Sequence, residues 1–281
     1  MSLFLRQLRC ELWKLFARKR TYLGFGVFLA VEMLILILFQ IPPVQRSWKR
    51  LLEGAGYGFD EYFSGVTLAF QVVIWTTFLL GGLYLALVAG DVVAKEVEDG
   101  TLRMNLCRPV SRLRILLLKY VTCVIYTFAL IFFIGLSALA VGLLRQGTGG
   151  FFAYQPLQGL FVLYDFQEGL WRYFASLPLL ALSLMSVTSL GFTLSCFNMK
   201  PAAATIATLS YFIADSIFRS IPYFESIKPW FITTHTETWI NILRAPIPLP
   251  RMVEDYAYLF AVNFTMVVIG AVVFQRRDFK S

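Results

Sequence analysis

The chain of 281 residues is 58% hydrophobic and 15% charged, whereas an ordinary soluble domain carries about 25% charged residues. Its apolar residues form blocks near the roughly 20 residues that a helix needs to cross a bilayer, which excludes a soluble domain and predicts an all-α integral membrane protein. The net charge of +8 is better explained by membrane topology than by binding of nucleic acid.

The first element, residues 3–20, has the pattern of an amphipathic helix. Its apolar face on a helical wheel consists of Phe4, Leu5, Leu8, Leu12, Leu15 and Phe16. Lys and Arg are frequent on the opposite face, which is typical of a helix that lies in the plane of the lipid headgroups. We favour this in-plane helix because Arg18-Lys19-Arg20 marks a membrane boundary. A cytoplasmic extension of the first span is the alternative.

Six apolar segments are predicted to cross the membrane, all within one transmembrane domain that covers residues 1–281. The predicted spans are about 22–41, 66–90, 115–144, 173–197, 202–219 and 255–275. The third span is about 45 Å long at the helical rise, so it must tilt or project from an apolar core of about 30 Å. On the second span, the four-residue spacing of Gly82, Ala86 and Gly90 predicts close packing against a neighbouring helix.

The connecting segments predict how the chain is oriented. Most of the 25 Lys and Arg residues lie on one side of the membrane, so we expect a multi-pass protein of the plasma (inner) membrane with both termini cytoplasmic. The outer segment 42–65 is interpreted as a turn-rich connection. The outer segments 145–172 and 220–254 are interpreted as interfacial caps, the second with one short helix at 231–243. The tight turn at 198–201 predicts that the fourth and fifth spans are antiparallel neighbours.

No arrangement of residues indicates catalysis. The sequence has no Gly-x-x-x-x-Gly-Lys-Ser/Thr loop for ATP and no Gly-x-Ser-x-Gly nucleophile motif. Its one histidine, His235, is interpreted as a loop residue, because His235 and the nearby Glu237 are too few ligands for a metal site. The four cysteines lie on the cytoplasmic side or in the inner half of a span, where disulfides are rare. We therefore expect no catalytic residue, no metal and no cofactor bound by this chain.

Two acidic residues lie within predicted spans, Glu32 in the first and Asp215 in the fifth. An ionisable group in lipid is costly, which makes each a candidate functional residue. For Asp215 we favour a structural ion pair with Arg219 at i+4. For Glu32 the sequence leaves two roles equally open. The side chain could line a transport pathway, or it could form a buried hydrogen bond.

The longest charged interruption is Asp91–Lys119, between the second and third spans. Gly100 is expected to break or cap the preceding helix. Thr101 is expected to start a short helix that Pro109 ends, and Ser111 to cap the third span. We favour a docking surface for a partner in water, because apolar side chains beside charges often mark one. A solvated hairpin is the alternative.

The same segment resembles the ATP-binding-cassette type 2 (ABC-2) permeases. It contains Glu96-Val97-Glu98-Asp99-Gly100-Thr101-Leu102-Arg103, then Arg108-Pro109-Val110-Ser111-Arg112, then Lys119. These runs are similar to the acidic-Gly-Thr-Leu and Pro-x-Ser-Arg runs of that family, and the predicted layout is similar as well. The resemblance implies that residues 91–112 form a cytoplasmic coupling helix, or elbow, seated in a cleft of a separate ATPase.

The resemblance also implies which residues couple the two proteins. The implied coupling residues are Glu96, Glu98, Gly100, Thr101, Leu102, Arg103, Arg108, Pro109 and Arg112. We expect Gly100, Pro109 and Arg112 to support the elbow, whereas Glu96, Glu98, Thr101, Leu102 and Arg103 would contact the ATPase.

The implied function is that of a non-catalytic permease subunit in an ATP-driven ABC transporter, with export as the expected direction. ATP and Mg²⁺ would be bound by the ABC ATPase partner. A second permease subunit, identical or paralogous, would complete a path at the permease interface within membrane lipid. The alternatives are a non-transporting membrane scaffold for a cytoplasmic ATPase and a secondary transporter that uses Glu32 and Asp215. The sequence does not identify the substrate.

Overall fold

The chain folds mainly into long helices, in a computed structural model that describes residues 3–17, 19–102 and 110–277. The described helices are α1 (Leu3–Phe16), α2 (Lys19–Leu38), α3 (Pro42–Gly54), α4 (Phe59–Tyr62), α5 (Gly65–Thr76), α6 (Gly82–Glu98), α7 (Arg112–Gln146), α8 (Phe166–Cys196), α9 (Pro201–Ser220), α10 (Ile232–Thr236) and α11 (Leu249–Arg276). Five residues in π-helical geometry, Thr77–Gly81, join α5 to α6.

The helices agree with an all-α membrane protein. Within the described ranges, α7, α8, α9 and α11 are each long and apolar enough to span a bilayer. The segments Gly24–Leu38 and Pro42–Gly54 give a fifth candidate if their bend of 69° is counted within one broken span. The predicted second span, 66–90, falls on α5, the π turn and α6. Neither helix of that pair is by itself an 18-residue apolar helix, since the π turn divides the apolar stretch.

Two connecting segments differ from the sequence predictions. The segment 42–65 is not merely turn-rich, because it contains α3 and α4. Pro42 and Pro43 begin α3, where a helix tolerates a missing backbone N–H. The single helix predicted at 231–243 is also wrong, since α10 is followed by a 3₁₀ segment at Thr238–Leu243.

A β-hairpin lies inside the predicted cap 145–172. Strands β1 (Phe151–Gln155) and β2 (Leu160–Tyr164) pair in antiparallel register. The hairpin is attached to α5, because Thr67 Oγ1 accepts a hydrogen bond of 2.8 Å from the Phe152 N–H and Gln71 Nε2 donates to the Tyr154 carbonyl at 3.2 Å. The run of aromatic residues supplies the apolar strand face, and Phe151 and Phe152 are fully buried.

Helix α8 lies at the centre of the packed helices, in contact with α6, α7, α9 and α11. Its packing with α9 agrees with the antiparallel arrangement predicted for those helices. Small residues bring the backbones together, as predicted for the second span. A Cβ at Gly90 would lie 2.9 Å from Thr205 Oγ1 on α9, and one at Gly191 would lie 3.2 Å from the Ala89 side chain. Gly82, in contrast, faces open space.

The helix bundle has two distinct ends. The elbow end is where α6, α8 and α11 finish and α7 begins. The hairpin end is opposite, where β1 and β2 lie and where α7 finishes and α8 begins. Contacts of Arg112 with the end of α11, and of Arg277 with the end of α8, bring these termini together at the elbow end.

Candidate functional site

Within residues 91–112, which are predicted to form the elbow, α6 ends and a left-handed glycine follows. Gly100 has φ +71°, a conformation that residues with a Cβ rarely adopt. The Asp99 N–H donates to the Lys95 carbonyl at 2.8 Å, and the Gly100 N–H donates to the Val97 carbonyl at 3.1 Å. Thr101 Oγ1 donates to the Glu96 carbonyl at 3.3 Å. The predicted glycine termination of the helix is therefore confirmed.

The far side of the elbow is capped by Ser111. Its Oγ accepts a hydrogen bond of 3.4 Å from the Arg114 N–H, which confirms the predicted cap of α7. The short helix predicted to start at Thr101 continues into residues 103–109, which lie outside the described residues. The coupling roles expected of Arg103, Arg108 and Pro109 therefore stay predictions.

A buried lysine lies directly behind the elbow. The Lys119 side chain is 1% exposed, and its Nζ lies 2.7 Å from Glu96 Oε1 and 3.1 Å from Glu11 Oε2. The Nζ also donates to the Val92 carbonyl at 3.5 Å. Lys119 is on α7, Glu96 and Val92 are on α6, and Glu11 is on α1. We call Lys119, Glu96 and Glu11 the ionic node, because they join three helices at one charged point.

The ionic node changes the role expected of two coupling residues. Glu96 is buried against Lys119, and Leu102 is 1% exposed in the apolar core. Neither side chain is on the surface of this chain, so their burial does not favour the expected direct contact with an ATPase. Their observed contacts instead stabilise the elbow from inside. Glu98 and Gly100 are exposed, and Thr101 is half-buried.

The N-terminal helix is part of the same arrangement. Glu11 binds Lys14 at 2.7 Å in addition to Lys119. Burial raises the pKa of the Glu11 carboxyl, but the ammonium groups of Lys119 and Lys14 lower it by more, so its pKa lies below the ordinary value of 4.5. The polar face of α1 is therefore partly turned inward, toward α7. Leu5 and Trp13 of α1 are exposed.

Arginine contacts connect the elbow to the other helix ends. Arg112 Nη1 donates to the carbonyls of Gln275 and Arg277, both at 3.1 Å. Arg277 Nη1 donates to the Phe197 carbonyl at 2.9 Å, and its Nη2 donates to Asn198 Oδ1 at 2.7 Å. Cations suit these positions because the last carbonyls of a helix carry partial negative charge. The start of α7 is thereby joined by hydrogen bonds to the ends of α11 and α8.

The two acids predicted inside spans have different surroundings. Glu32 is 1% exposed, and its Oε1 accepts a 2.9 Å hydrogen bond from Ser137 Oγ on α7. Glu32 Oε2 is buried without a hydrogen-bond partner. The predicted pair of Asp215 with Arg219 is wrong. Asp215 Oδ2 accepts from the Thr233 N–H at 2.8 Å, whereas Arg219 Nη2 binds Glu237 at 2.6 Å. Folding of residues 221–243 over the end of α9 supplies these nearer partners.

His235 is held by hydrogen bonds at the hairpin end. Its Nδ1 lies 2.7 Å from Asp255 Oδ1, and its Nε2 lies 2.8 Å from the Pro229 carbonyl. In the part of the chain that the structure describes, no three His, Cys, Asp or Glu residues are grouped so that they could hold a metal ion. The geometry of His235 is therefore that of a residue fixing the fold of the cap.

The sequence did not indicate that Glu11 and Arg277 make contacts at the elbow end of the bundle. It placed Lys119 in the motif but not in a buried ion pair. The sequence did indicate that Lys119 needs a partner. Lys119 lies between Leu118 and Tyr120 in an apolar segment, and a lysine near lipid requires a counter-charge. The identity of that counter-charge was not readable, because Glu11 is 108 residues away in the chain.

Comparisons with known proteins give one family and one partial relative. A model of the family described as "ABC-2 family transporter protein" matches residues 7–215. The chain is also 35% identical over 72 residues to the "Uncharacterized protein YhcI" of Bacillus subtilis (strain 168). That second match covers 26% of this chain and only 23% of the Bacillus protein.

Proposed function

Because the chain belongs to the ABC-2 family of transporter proteins, we propose that it is the permease subunit of an ATP-driven exporter and is moved by a separate ATPase. Family membership supports a membrane component of an ABC transporter, which is itself non-catalytic and pairs with an ABC ATPase. Export, the site of coupling and the subunit composition are parts of the proposal.

The proposed topology has six spans, formed by α2, by α5 with α6, and by α7, α8, α9 and α11. The continuous helical path from 65 to 98 supports counting α5 and α6 as one span, because together they are long enough to cross a bilayer core of about 30 Å. In this arrangement α1 lies in the membrane plane, and the elbow end and both termini are cytoplasmic in the plasma membrane. Helix α3 and the β-hairpin lie at the opposite, outer surface.

The ionic node carries the proposal for coupling. Exposed Glu98 and Gly100 stand at the tip of α6, and buried Lys119 directly behind them links α6 to α1 and α7. A buried ion pair that loses one partner is strongly destabilising, so the three helices are held to move together. Force applied to the elbow would therefore be passed to α1 and α7 rather than lost in a local bend.

The proposed mechanism is mechanical. ATP and Mg²⁺ bind to the partner ATPase, whose closing brings the elbows of two permease subunits together. The contacts of Arg112 and Arg277 extend this movement to the ends of α11 and α8. Because packed helices change between discrete arrangements rather than bending smoothly, the spans would shift from one packing to another and open a path at the permease interface.

The test reverses one exposed charge at the elbow. We expect Glu98→Lys to weaken association with the ATPase by about tenfold, or about 1.4 kcal/mol, because a contact charge then becomes repulsive. The ATPase is identified by mass spectrometry of the complex purified from its native membrane, by a P-loop sequence. Glu53→Lys is the matched control, since Glu53 is an exposed glutamate of α3, far from the elbow.

Three outcomes separate the possible functions. Equal recovery of the ATPase with both variants would contradict contact at the elbow. Absence of any ATPase from the native complex would favour a secondary transporter. An ATPase that binds but whose ATP hydrolysis moves no compound in reconstituted vesicles would favour a membrane scaffold.

A further inference from the structure

A long apolar groove lies between α7, α8 and α11. Its volume is about 850 Å³, within the range of about 300–1,000 Å³ that is usual for small-molecule sites. Leu117 on α7, Leu182 and Met185 on α8, and Phe260 on α11 contribute to its walls. Leu117, Leu182 and Phe260 are exposed, so the groove opens toward the surroundings of the bundle. Its lining suits a lipophilic molecule.

The groove follows most of the length of α11. The residues of α11 that line it run from Leu249, near the hairpin end, to Val267, toward the elbow end. At the helical rise this is about 27 Å, close to the thickness of a bilayer core of about 30 Å. The groove therefore offers one continuous apolar surface across nearly the whole membrane.

An amide oxygen without a hydrogen-bond partner is buried halfway along this surface. Asn263 is 7% exposed and lines the groove, and its Oδ1 has no hydrogen-bond partner. Asn263 lies near the middle of Leu249–Arg276. This position corresponds to the bilayer midplane when α11 spans the membrane. Leaving such an oxygen unpaired in an apolar site is unfavourable, so a bound donor would be stabilising.

The neighbouring polar groups of the groove already have partners. The Tyr256 hydroxyl donates to the Leu179 carbonyl at 2.9 Å. The Tyr120 and Ser189 hydroxyls are 2.9 Å apart. Among the groove residues that the structure describes, the amide of Asn263 is thus the one that would gain most from a ligand.

We propose that this groove binds an amphiphile with a long apolar chain and a hydrogen-bond donor. Asn263 accepts a hydrogen bond from that donor while the amphiphile crosses the bilayer midplane. A resident phospholipid keeps its headgroup at the surface and brings no donor to this depth. A transported amphiphile must bring one there. The assignment rests on the proposed function, since transport is what moves a polar group through the middle of the membrane.

The experiment compares two probes that differ only in the donor. The purified permease is placed in phosphatidylcholine vesicles without ATP or ATPase and exposed to a long-chain alcohol that carries a diazirine, or to its methyl ether. We expect the alcohol to label the groove about two- to tenfold more strongly, the ratio given by one neutral hydrogen bond. Asn263→Leu should remove this preference, because Leu has a similar branched shape and no acceptor.

A second pair of variants tests the groove without removing the amide. Leu182→Trp should block the groove and lower labelling by both probes, whereas Ile269→Trp should not. Both residues are exposed on long helices, but Ile269 does not line the groove. These variants keep the inference testable if Asn263→Leu does not fold.

Several results would overturn the inference. They are equal labelling of wild type by the two probes, an alcohol preference that survives Asn263→Leu, and labelling that survives Leu182→Trp. Disulfide crosslinking of two copies through Val253→Cys, with no labelling of the groove by either probe, would show that a second copy fills the groove instead. Loss of the groove labelling with normal ATPase recovery would count against this inference alone, whereas absence of an ATPase would count against the proposed function.

Discussion

Single residues decide how the elbow is joined to the rest of the chain. Lys119 has two carboxylates within 3.1 Å, so its charge is compensated although its side chain is buried. The lowered pKa of Glu11 has a direct consequence for this site. Its stabilising contribution is complete above the ordinary carboxyl pKa of 4.5 and is lost as the pH falls through the lowered value. The node is thus maintained at neutral pH.

Replacing Lys119 tests the node at the residue scale. Lys119→Met should lower the free energy of unfolding by about 3–5 kcal/mol, because Glu96 and Glu11 are then left buried without their cation. Lys14→Met is the matched control, since Lys14 binds the same Glu11 carboxylate but its side chain is 46% exposed. Its loss should cost about 1 kcal/mol or less.

The measurement is the unfolding midpoint of each variant purified in the same detergent. Adding Glu96→Gln to Lys119→Met should restore part of the loss, because it removes one of the two stranded charges. Similar midpoints for Lys119→Met and Lys14→Met would show that the node contributes no more than an ordinary surface pair.

At the scale of elements, close backbone approach at glycine holds particular pairs of helices together. Gly90 brings α6 against α9, and Gly191 brings α8 against Ala89 of α6. Gly65 and Gly142 bring α5 and α7 together in the same way. In lipid there is little hydrophobic force between helices, so tight packing at such small residues supplies much of the association. The elbow is attached to α6 and therefore to this packed group.

Gly90→Leu tests the contact between α6 and α9. A larger side chain would press on Thr205 Oγ1 and its backbone nitrogen, which lie 2.9 Å and 3.2 Å from an added Cβ. Overpacking of this kind costs about 1–3 kcal/mol, so we expect a lower thermal midpoint in detergent.

Gly82→Leu is the matched control on the same helix, because a Cβ at Gly82 meets nothing within 4 Å. It should leave the midpoint nearly unchanged. If both variants lost stability equally, the effect would belong to the loss of glycine and not to the contact between α6 and α9.

At the scale of the whole molecule, the two ends of the bundle differ in what they carry. The elbow end has the ionic node and the arginine contacts between helix termini. The hairpin end has β1, β2 and the aromatic contacts of Trp48 with Phe152 and Tyr154. The excess of Lys and Arg in the segments at the elbow end supports a cytoplasmic position for that end.

Cysteine labelling tests this orientation. In a variant without the native cysteines, Glu53→Cys should react with a membrane-impermeant maleimide in intact cells, because α3 lies toward the hairpin end. Glu98→Cys, at the elbow, should react only after the cells are permeabilised. Both parent residues are exposed, so they are matched in access. The opposite pattern would invert the proposed topology, and equal reaction of both in intact cells would contradict it.

The amino-acid sequence by itself determined the membrane class, the position of the long apolar helices and the turn at Gly100. These are local properties, because a span needs about 20 apolar residues in helical form and a left-handed turn needs glycine. The span predicted at 202–219 thus lies within Pro201–Ser220, and Ser111 caps α7 as predicted from its place just after Pro109.

Only the tertiary structure decided which side chains meet. It placed Glu96 and Leu102 inside the elbow rather than on its surface, gave Lys119 a partner on α1, and turned Arg219 from Asp215 to Glu237. It also formed the hairpin from an aromatic run whose pattern indicates only a cap. The physical reason is that ion pairs and burial depend on which helices pack side by side, and residues as far apart in the chain as Glu11 and Lys119 carry no local mark of that contact.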